Sequence, residues 1–579
     1  MKNKNKILLI LTITIVIALS FNISTAKTID IYDTTSYNQV GLSLNDQIQA
    51  IIDSASVGDT INFLGNFYQD LTLIINKNLN IITNVGTTIS NSNPSSSLNT
   101  IFFINGSSAS GTTITGFNLN NDNTNGNGIT INNTRNIKIA KNNITANNSG
   151  VYIDKSSNIA VDSNNMKKSD KGVNVKDSAD ITIEKNTIDG NNEGVYLENT
   201  NNTSIKNNNI TKSERNGITL KNTRRIDLEY NNITQNKENG IYSDNGENNQ
   251  IKNNNIKNNA VSGILTKNSA RNLNIVGNNI SGNRDGIRLD SSDNSGLTIK
   301  SNSISMNNDG LSFGSEYGDH NTKVISSNDI SLNTRMNIEN KDSKYYGTLQ
   351  VGANWYGSNS YGFANICPML QTDLIQFNFV KSGNGLYTGT LTYGGNIMSD
   401  LPPMSMLLRI DGKDVWVTIE NGKVTVDLGS DFDEKNEGSV LSTFLGNQRS
   451  RTTVTYDRNN NRNSIIGGNN GGRGGTGGAG GGNIYGSGDG NTQGRGASSS
   501  GVSGSTSSPA DGGSSASGSA ASTQSFQQQS GQAKEIIIDD YDLFRLDDVR
   551  NLTAIIITLL FGSIIIGYII KKRTKKISL

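Results

Sequence analysis

A short phrase, in which a glycine precedes a run of strand-forming residues, returns nine times in the middle of this chain. The first copy is Gly128-Ile129-Thr130-Ile131 and the last is Gly310-Leu311-Ser312-Phe313. Successive glycines are separated by 22, 22, 22, 23, 23, 23, 23 and 24 residues. A period this steady predicts a solenoid, in which stacked copies of one structural unit bury a continuous core.

Each period contains three short segments in which apolar and polar residues alternate, as around Ile129, Ile137 and Ile144. The alternation predicts strands with one face inward, and the Gly, Asn, Asp and Ser residues between them suit turns with positive φ. The repeats lack the periodicity of a helix. Because so few residues separate the strands, they cannot return as hairpins and must pair in parallel with their counterparts one period away. This predicts a parallel β-helix.

Asparagine recurs at fixed places in the repeats. An Asn in the same turn of successive coils can pass an amide hydrogen bond along the stack, as in the Asn ladders of cross-β assemblies. The codon bias of an AT-rich genome is an alternative source of the Asn excess. Both explanations stay open at the level of sequence.

Looser strand-like segments precede the regular repeats, and with them we expect on the order of 12 coils over residues 61–345, a rod of roughly 60 Å. An N-terminal strand and a capping helix are predicted within residues 27–60. The helix, over residues 43–55, has its apolar residues on one side, and Ser43 with Asp46 forms a capping-box pattern. Such a helix would cover the open end of the solenoid.

Residues 1–26 have the pattern of a secretory signal peptide. Three lysines precede an apolar run from Ile7 to Leu19, and Ser24-Thr25-Ala26 supplies small residues for cleavage. We expect cleavage after Ala26. An uncleaved N-terminal anchor is the alternative.

The other end of the chain predicts a membrane anchor. Residues 552–570 contain no charged residue and would span roughly 28 Å as a helix. Five basic residues follow in the tail 571–579, and an acidic juxtamembrane segment, 535–551, precedes the span. The positive-inside rule then predicts a single-pass protein of the cell membrane with an extracellular N-terminal part and a cytoplasmic C-terminal tail.

Three further regions lie between the coils and the membrane. Residues 346–374 close the solenoid, because Asn354-Trp355-Tyr356-Gly357 places two large aromatic residues where the apolar core should end. Residues 375–457 have strand-like runs and hairpin signals, which predict a small β-sandwich-like domain. Residues 458–534 are mostly Gly, Ser, Asn, Gln, Ala and Thr, a composition typical of a disordered linker.

Composition excludes several functions. The net charge is +1 with no basic cluster outside the two ends, so nucleic acid is not an expected partner. The single cysteine, Cys367, excludes an intrachain disulfide and a Cys-based metal cluster. We expect no cofactor, and Ca²⁺ is not indicated. Eight asparagines are candidate N-glycosylation sites: Asn105, Asn133, Asn143, Asn148, Asn202, Asn209, Asn232 and Asn279.

Several of these features together resemble one group of proteins. The secretory start, the phrase from Leu44 to Asp53 that leads to Gly58-Asp59-Thr60-Ile61, the Asn-rich coils, the Asn-Trp-Tyr-Gly motif and the tail anchor are similar to adhesin-like surface proteins of methanogenic archaea. These resemble the pectin-lyase-like right-handed β-helix superfamily, including repeats of the NosD type. The resemblance implies a right-handed β-helix and surface display, with glycans or surface proteins of other cells or host material as partners.

The same fold also carries polysaccharide lyases, hydrolases and epimerases, so an enzyme is an alternative. Outward charged residues on successive coils, Asp154, Lys176, Glu198 and Lys221, alternate in sign, which also predicts simple cross-strand pairing. The cluster Glu316-Tyr317-Gly318-Asp319-His320 holds the only histidine and resembles in part a site motif of alginate epimerases. Tyr317, Asp319 and His320 are therefore the candidate catalytic residues.

The leading hypothesis is a binding surface. Tyr152, Tyr196 and Tyr242 share one position, two residues after the repeat glycine. If they project outward they lie two coils apart, near 10 Å, and tyrosine rings among amides suit sugar rings and hydroxyls. The alternative is that this position points inward or only reflects β-propensity. We therefore expect an adhesin-like glycan-binding protein, with an enzyme or a passive surface-layer spacer as the alternatives.

Overall fold

The computed structural model describes residues 26–32, 41–92, 98–319, 322–341, 349–357, 366, 371–445 and 448–456. The predicted signal sequence, except Ala26, and the predicted linker, membrane span and tail lie outside the described residues, as do His320 and Cys367. Among the residues described, no helix is both long and apolar enough to span a membrane.

The described part is built almost entirely of short strands. The elements before the regular repeats are β1 (Thr28–Ile31), α1 (Leu44–Ser54), β2 (Thr60–Phe63), β3 (Phe67–Gln69), β4 (Leu73–Ile75), β5 (Asn80–Thr83), β6 (Thr88–Asn91), β7 (Thr100–Asn105), a 3₁₀ turn (Ser107–Ala109), β8 (Thr113–Thr115) and β9 (Asn118–Asn121).

The regular repeats follow, with three strands in each coil. They are β10 (Asn127–Asn132), β11 (Arg135–Ala140), β12 (Asn143–Ala146), β13 (Ser149–Asp154), β14 (Ser157–Asp162), β15 (Asn165–Lys167), β16 (Lys171–Lys176), β17 (Ala179–Glu184), β18 (Thr187–Asp189), β19 (Glu193–Glu198), β20 (Asn201–Lys206), β21 (Asn209–Thr211), β22 (Ile218–Lys221), β23 (Arg224–Glu229), β24 (Asn232–Thr234), β25 (Ile241–Glu247), β26 (Gln250–Lys252), β27 (Asn255–Lys257), β28 (Ser262–Arg271), β29 (Asn274–Val276), β30 (Asn279–Ser281), β31 (Asp285–Asp293), β32 (Thr298–Lys300), β33 (Ser303–Ser305), β34 (Asp309–Phe313), β35 (Val324–Ser326) and β36 (Met336–Asn340).

The elements after the repeats are β37 (Gln350–Asn354), β38 (Gln371–Leu374), β39 (Gln376–Lys381), β40 (Leu386–Tyr393), β41 (Asn396–Ile397), β42 (Met404–Ile410), β43 (Lys413–Ile419), β44 (Lys423–Asp427), α2 (Ser430–Lys435), β45 (Val440–Leu445) and β46 (Gln448–Thr453).

Every strand from β1 to β36 that pairs does so in parallel with a strand of a neighbouring coil, which confirms the predicted parallel β-helix. Three ladders run along it. Sheet 1 starts at β4 and β7 and takes the first strand of each regular coil, from β10 to β34, and then β36, so it contains twelve strands. Sheet 2 starts at β1 and takes the second strands, and sheet 3 starts at β3 and takes the third. Alternate side chains along each strand point inward. Together they form a continuous core made mainly of buried Ile, Leu and Val.

The repeat position requires glycine because there is no room for a side chain. A Cβ on Gly150 would lie 2.6 Å from the carbonyl oxygen of Gly172 on the next coil, and one on Gly172 would lie 2.5 Å from Cγ2 of Ile188. Only glycine therefore allows the first strand to pass so close to its neighbours. Positive φ occurs at the turns, as predicted for Asn and Asp, but also at lysines such as Lys155, which the sequence did not indicate.

The predicted asparagine ladder is present in the core. Asn142, the first member, donates its side-chain amide to Oδ1 of Asn164 across 3.0 Å, and the same bond repeats coil by coil. The further members are Asn186, Asn208, Asn231, Asn254, Asn278, Asn302, Asn328 and Asn354. The amides also bond main-chain carbonyls, so the ladder satisfies turns that would otherwise bury unpaired groups.

The helix α1 covers the first coils. Ser43 is its N-cap and accepts a hydrogen bond from the backbone N–H of Asp46 at 3.1 Å. Ile48 and Ile52 are fully buried against the apolar interior of the solenoid. The amphipathic pattern of the sequence thus places the helix where an open end would otherwise expose core.

Asn354-Trp355-Tyr356 joins two cores. Tyr356 belongs to the core of the β-helix, whereas the adjacent Trp355 is fully buried in a second core formed by the C-terminal strands. Those strands form two antiparallel sheets, β39-β40 with β41 and β44, and β43-β42-β45-β46. The hairpin turns Asp411-Gly412 and Asn421-Gly422 both have positive φ, as their sequences predict.

Candidate functional site

The three candidate tyrosines lie in one row on the outer face of sheet 1. Tyr152 of β13 pairs in register with Asn174, which pairs with Tyr196 of β19. Tyr196 is followed by Thr219 and then by Tyr242 of β25. Tyrosines therefore alternate with shorter polar residues, and successive tyrosines are two strand steps apart, roughly 10 Å.

A groove of about 760 Å³ runs along this row. It crosses the coils from Asn148 to Tyr242 and includes all three tyrosines. Its lining residues are Asn148, Tyr152, Asp170, Lys171, Asn174, Lys176, Asn192, Glu193, Tyr196, Arg215, Asn216, Thr219, Lys221, Glu238, Asn239 and Tyr242. Apart from the tyrosines, every wall residue carries an amide, a hydroxyl or a charge, so the groove suits a ligand rich in hydrogen-bonding groups.

Tyr196 stands at the centre of the groove between two cations. The ammonium of Lys171, from the coil before, lies 5.4 Å from the ring centroid, and that of Lys221, from the coil after, lies 5.6 Å away. Both distances are within the range of cation–π attraction. Burial and the carboxylate of Glu198 raise the pKa of the Tyr196 phenol to about 12, so the ring is neutral and its hydroxyl can donate.

Tyr152 and Tyr242 flank this centre and are half-buried. Burial raises the pKa of both phenols, and the carboxylates of Asp154 and Asp244 act in the same direction. The Tyr242 hydroxyl lies 3.4 Å from Oδ2 of Asp244. Within the described structure no cation–π contact is found at these two rings, which leaves them better suited than Tyr196 to stack against a ligand.

Glu193 is the buried acid of the groove. Its side chain is almost fully covered, its Oε1 lies 3.4 Å from Arg215 Nη1, and its Oε2 has no hydrogen-bond partner in the described part of the chain. Burial raises the pKa of this carboxyl. The amide oxygen of Asn174 is likewise buried without a partner. Unpaired buried acceptors cost free energy, so the floor of the groove is set up to receive hydrogen-bond donors.

Sequence reasoning missed Lys171, Glu193 and Arg215. Lys171 and Glu193 directly precede a repeat glycine, at a place where the coils on either side have Ser149 and Asn216. A charge at that position was the available signal. Whether a charged residue at that position is buried or exposed depends on the side chains of the neighbouring coils. A single repeat does not predict those contacts.

The residues predicted as catalytic lie elsewhere, in the loop after β34. Tyr317 is fully buried, with its ring 4.8 Å from that of Phe313, and its hydroxyl lies 3.4 Å from Oδ1 of Asp319. Asp319 forms a 2.5 Å ion pair with Lys323. His320 is outside the described residues. Neither Tyr317 nor Asp319 lines the tyrosine groove.

The eight candidate glycosylation sites are all exposed or half-buried. Two of them need correction on the motif itself, which requires Ser or Thr two residues after the acceptor. Arg135 and Gly150 occupy that place after Asn133 and Asn148. The acceptors of these two motifs are the preceding residues, Asn132 and Asn147.

Two family models match the sequence. One, described as "Periplasmic copper-binding protein (NosD)", matches residues 105–274, and one described as "Right handed beta helix region" matches residues 193–365. The chain is a right-handed β-helix protein. The handedness implied by the resemblance is thereby confirmed, and the solenoid has about 12 turns.

Solved structures similar to this β-helix protein include PfbA, a surface adhesin of Streptococcus pneumoniae, at 14% identity and a TM-score of 0.42 over 64% of this chain and 97% of that one. The A-module of the mannuronan C-5 epimerase AlgE4 of Azotobacter vinelandii is 14% identical, with a TM-score of 0.35 over 59% of this chain and 98% of that one. The periplasmic alginate epimerase AlgG is 13% identical, with a TM-score of 0.35 over 55% and 74% of the two chains. No curated protein matches the chain in sequence.

The donor set does not fit the copper of the NosD description. Copper in proteins is held by His, Cys and Met side chains. The matched residues 105–274 contain neither His nor Cys, and their one methionine, Met166, is fully buried in the core. Among the described residues, no group of three or more His, Cys, Asp or Glu is arranged to hold a metal ion.

Proposed function

We propose that the β-helix protein is a cell-surface, adhesin-like protein that binds a saccharide chain along the tyrosine groove. The observation that carries this proposal is the row of Tyr152, Tyr196 and Tyr242, two coils apart in one polar groove. Aromatic rings present apolar faces to sugar rings, and the amides and charges between them exchange hydrogen bonds with hydroxyls. Glycans or surface proteins of other cells or of host material are the proposed partners.

The spacing of the row favours an extended polymer. Two strand steps are roughly 10 Å, about the length of two linked pyranose units in an extended chain. Tyr152 and Tyr242 would then contact the ligand about four sugar units apart, with Tyr196 between them. Such a ligand would lie along the coils and would contact the groove repeatedly, which favours polymers over single sugars.

The location is part of the proposal. The NosD model describes a periplasmic family, which is compatible with an extracellular β-helix. The signal-peptide pattern of residues 1–26 and the apolar segment 552–570 support a single-pass membrane protein with the β-helix outside the cell. A linker of Gly and Ser residues would let the rod extend from the membrane.

Binding of the full-length protein to a glycan array tests the proposal. We expect saturable binding that weakens at least tenfold when Tyr152 and Tyr242 are both changed to Ala, because both stacking surfaces are lost. Tyr230→Ala is the matched control, since Tyr230 is 58% exposed and does not line the groove. Equal loss in the control, or no loss in the double variant, would count against the groove.

One observation favours an enzyme as the second candidate. A buried carboxyl with a raised pKa, such as that of Glu193, keeps its proton closer to neutral pH and can act as a general acid. The array assay is therefore repeated with analysis of the bound glycans for shortened or unsaturated products. Products formed by the wild type and absent with Glu193→Gln would establish a carbohydrate-active enzyme. Absence of both binding and products would favour a passive surface-layer spacer.

A further inference from the structure

A row of charges runs beside the tyrosines, and one of its ammonium groups makes no salt bridge. Asp154, Lys176, Glu198, Lys221 and Asp244 occupy one register position on successive coils, so Lys221 has a carboxylate neighbour on each side. The alternation predicts that both carboxylates pair with it. Neither of them forms a salt bridge with Lys221.

Each neighbour is engaged elsewhere. Glu198 lies 3.2 Å from the ammonium of Lys176, on the coil before. Asp244 accepts a 2.5 Å hydrogen bond from the amide of Asn268, on the coil after, and its other oxygen lies 3.4 Å from the Tyr242 hydroxyl. Neither neighbouring carboxylate is therefore paired with Lys221.

The remaining cations of the groove, Lys171 and Arg215, form salt bridges with carboxylates. Lys171 lies 2.5 Å from Asp170, and Arg215 lies 3.4 Å from Glu193 and 3.5 Å from Glu238. Among the groove's charged residues, as far as the described chain extends, Lys221 alone makes no salt bridge. Lys221 is therefore the groove cation that no carboxylate holds in a salt bridge, and it lies next to the central tyrosine.

Lys221 also has a defined place in the groove. Its ammonium lies 5.6 Å from the centroid of the Tyr196 ring, and its side chain is half-buried. A partly desolvated ammonium without a carboxylate partner gains more from binding an anion than a fully hydrated one does. A lysine is a compact charge with three donors, so it accepts either a carboxylate or a sulfate.

We propose that Lys221 binds an anionic substituent, a carboxylate or a sulfate ester, on the glycan that occupies the tyrosine groove. This inference rests on the proposed function and names the class of glycan that the groove selects. The anion would lie beside the Tyr196 ring, while sugar rings contact Tyr152 and Tyr242. Lys221 is then a specificity-determining residue.

Matched pairs of glycans test the proposal with the full-length protein. Polygalacturonate and hyaluronate are compared with their carboxyl-reduced forms, and chondroitin sulfate is compared with its desulfated form. We expect a charged member to bind about tenfold more tightly than its neutral partner, with the difference shrinking as NaCl is raised. The carboxylate and sulfate pairs report separately which anion is preferred.

Variants assign the preference to one residue. Lys221→Gln should abolish the difference between the members of a pair, whereas Lys221→Arg should retain the difference. Lys237→Gln is the control, because it also removes one lysine charge but lies outside the groove lining and leaves Glu198 paired with Lys176. Unfolding curves of all variants show whether the coils are intact.

The outcomes separate this proposal from the one it rests on. Equal binding of charged and neutral members, or a preference that survives in Lys221→Gln, overturns the role of Lys221 and leaves the glycan-binding groove standing. Failure of every glycan to bind, in either form, overturns both. A preference lost in Lys221→Gln and kept in Lys237→Gln supports the proposal.

Discussion

Asn328 donates its side-chain amide to Oδ1 of Asn354 across 2.9 Å, and this bond is the last step of the buried asparagine ladder that starts at Asn142. Asn354 in turn donates to the carbonyls of Ile325 and Gly352. The first residue of the Asn-Trp-Tyr-Gly motif is thus the last member of the asparagine ladder. The motif ends the β-helix by completing its internal hydrogen bonds.

A break in the middle of the ladder should be costly. Asn208 accepts from the backbone N–H and the side-chain amide of Asn186, and it donates to Ile183 O, Lys206 O and Asn231 Oδ1. Asn208→Ala leaves several of these groups buried without partners, so we expect a loss of about 3 kcal/mol in the free energy of unfolding. Urea denaturation measures it.

The adjacent Asn209 provides the control for that change. Its side chain is exposed and accepts one bond, from the amide of Asn232 at 2.7 Å. Because water replaces that bond, Asn209→Ala should cost about 0.5 kcal/mol or less. Equal losses at the two positions would show that the buried ladder has no special part in stability.

The repeat glycines should not tolerate a methyl group. A Cβ on Gly172 meets Cγ2 of Ile188 at 2.5 Å and the carbonyl oxygen of Gly194 at 2.7 Å, so Gly172→Ala should cost roughly 3 kcal/mol. Gly190 has φ +64° and open space around its Cβ position, so Gly190→Ala should cost only about 1 kcal/mol of backbone strain. Thermal unfolding of both variants compares crowding with strain, and a larger loss at Gly190 would contradict this account.

Most of the fold could be predicted from the repeat pattern, because every coil has the same pattern of glycines and apolar residues. Period, strand number and the parallel pairing all followed from the spacing of glycines and apolar residues. The shared position of Tyr152, Tyr196 and Tyr242 within their coils also followed from the repeat, but the sequence left open whether that position faces outward.

Side-chain partners within that row did not follow from the repeat. The alternation of charge predicted salt bridges for Lys221. Instead, Glu198 forms a salt bridge with Lys176, and Asp244 accepts a hydrogen bond from Asn268. Such choices depend on rotamers and on residues of the next coil. The same holds for Glu193, whose salt-bridge partner Arg215 belongs to the next coil.

A buried acid near the closure should give the β-helix a specific pH dependence. Burial raises the pKa of Asp329 from its ordinary value of 3.8 to about 6, and Ser331 is its hydrogen-bond donor at 2.5 Å. The folded state therefore holds the proton more tightly than the unfolded state, and stability falls as pH rises from about 3.8 to about 6.

Asp329→Asn isolates this effect. A shift of about two pKa units corresponds to about 3 kcal/mol, so wild type should lose this amount relative to the variant between pH 4 and pH 7. Chemical denaturation at intervals of one pH unit measures the difference. A constant difference across that range would show that Asp329 does not titrate in it.

Fluorescence should distinguish the two tryptophans, because they lie at opposite extremes of exposure. Trp355 is fully buried in the C-terminal core, whereas Trp416 is 74% exposed on β43. In Trp416→Phe the remaining emission should be blue-shifted and protected from iodide, and it should change only when the C-terminal core unfolds. In Trp355→Phe the emission should be red-shifted and readily quenched. Equal quenching in the two variants would contradict the burial of Trp355, and with it the joining of the two cores at Asn354-Trp355-Tyr356.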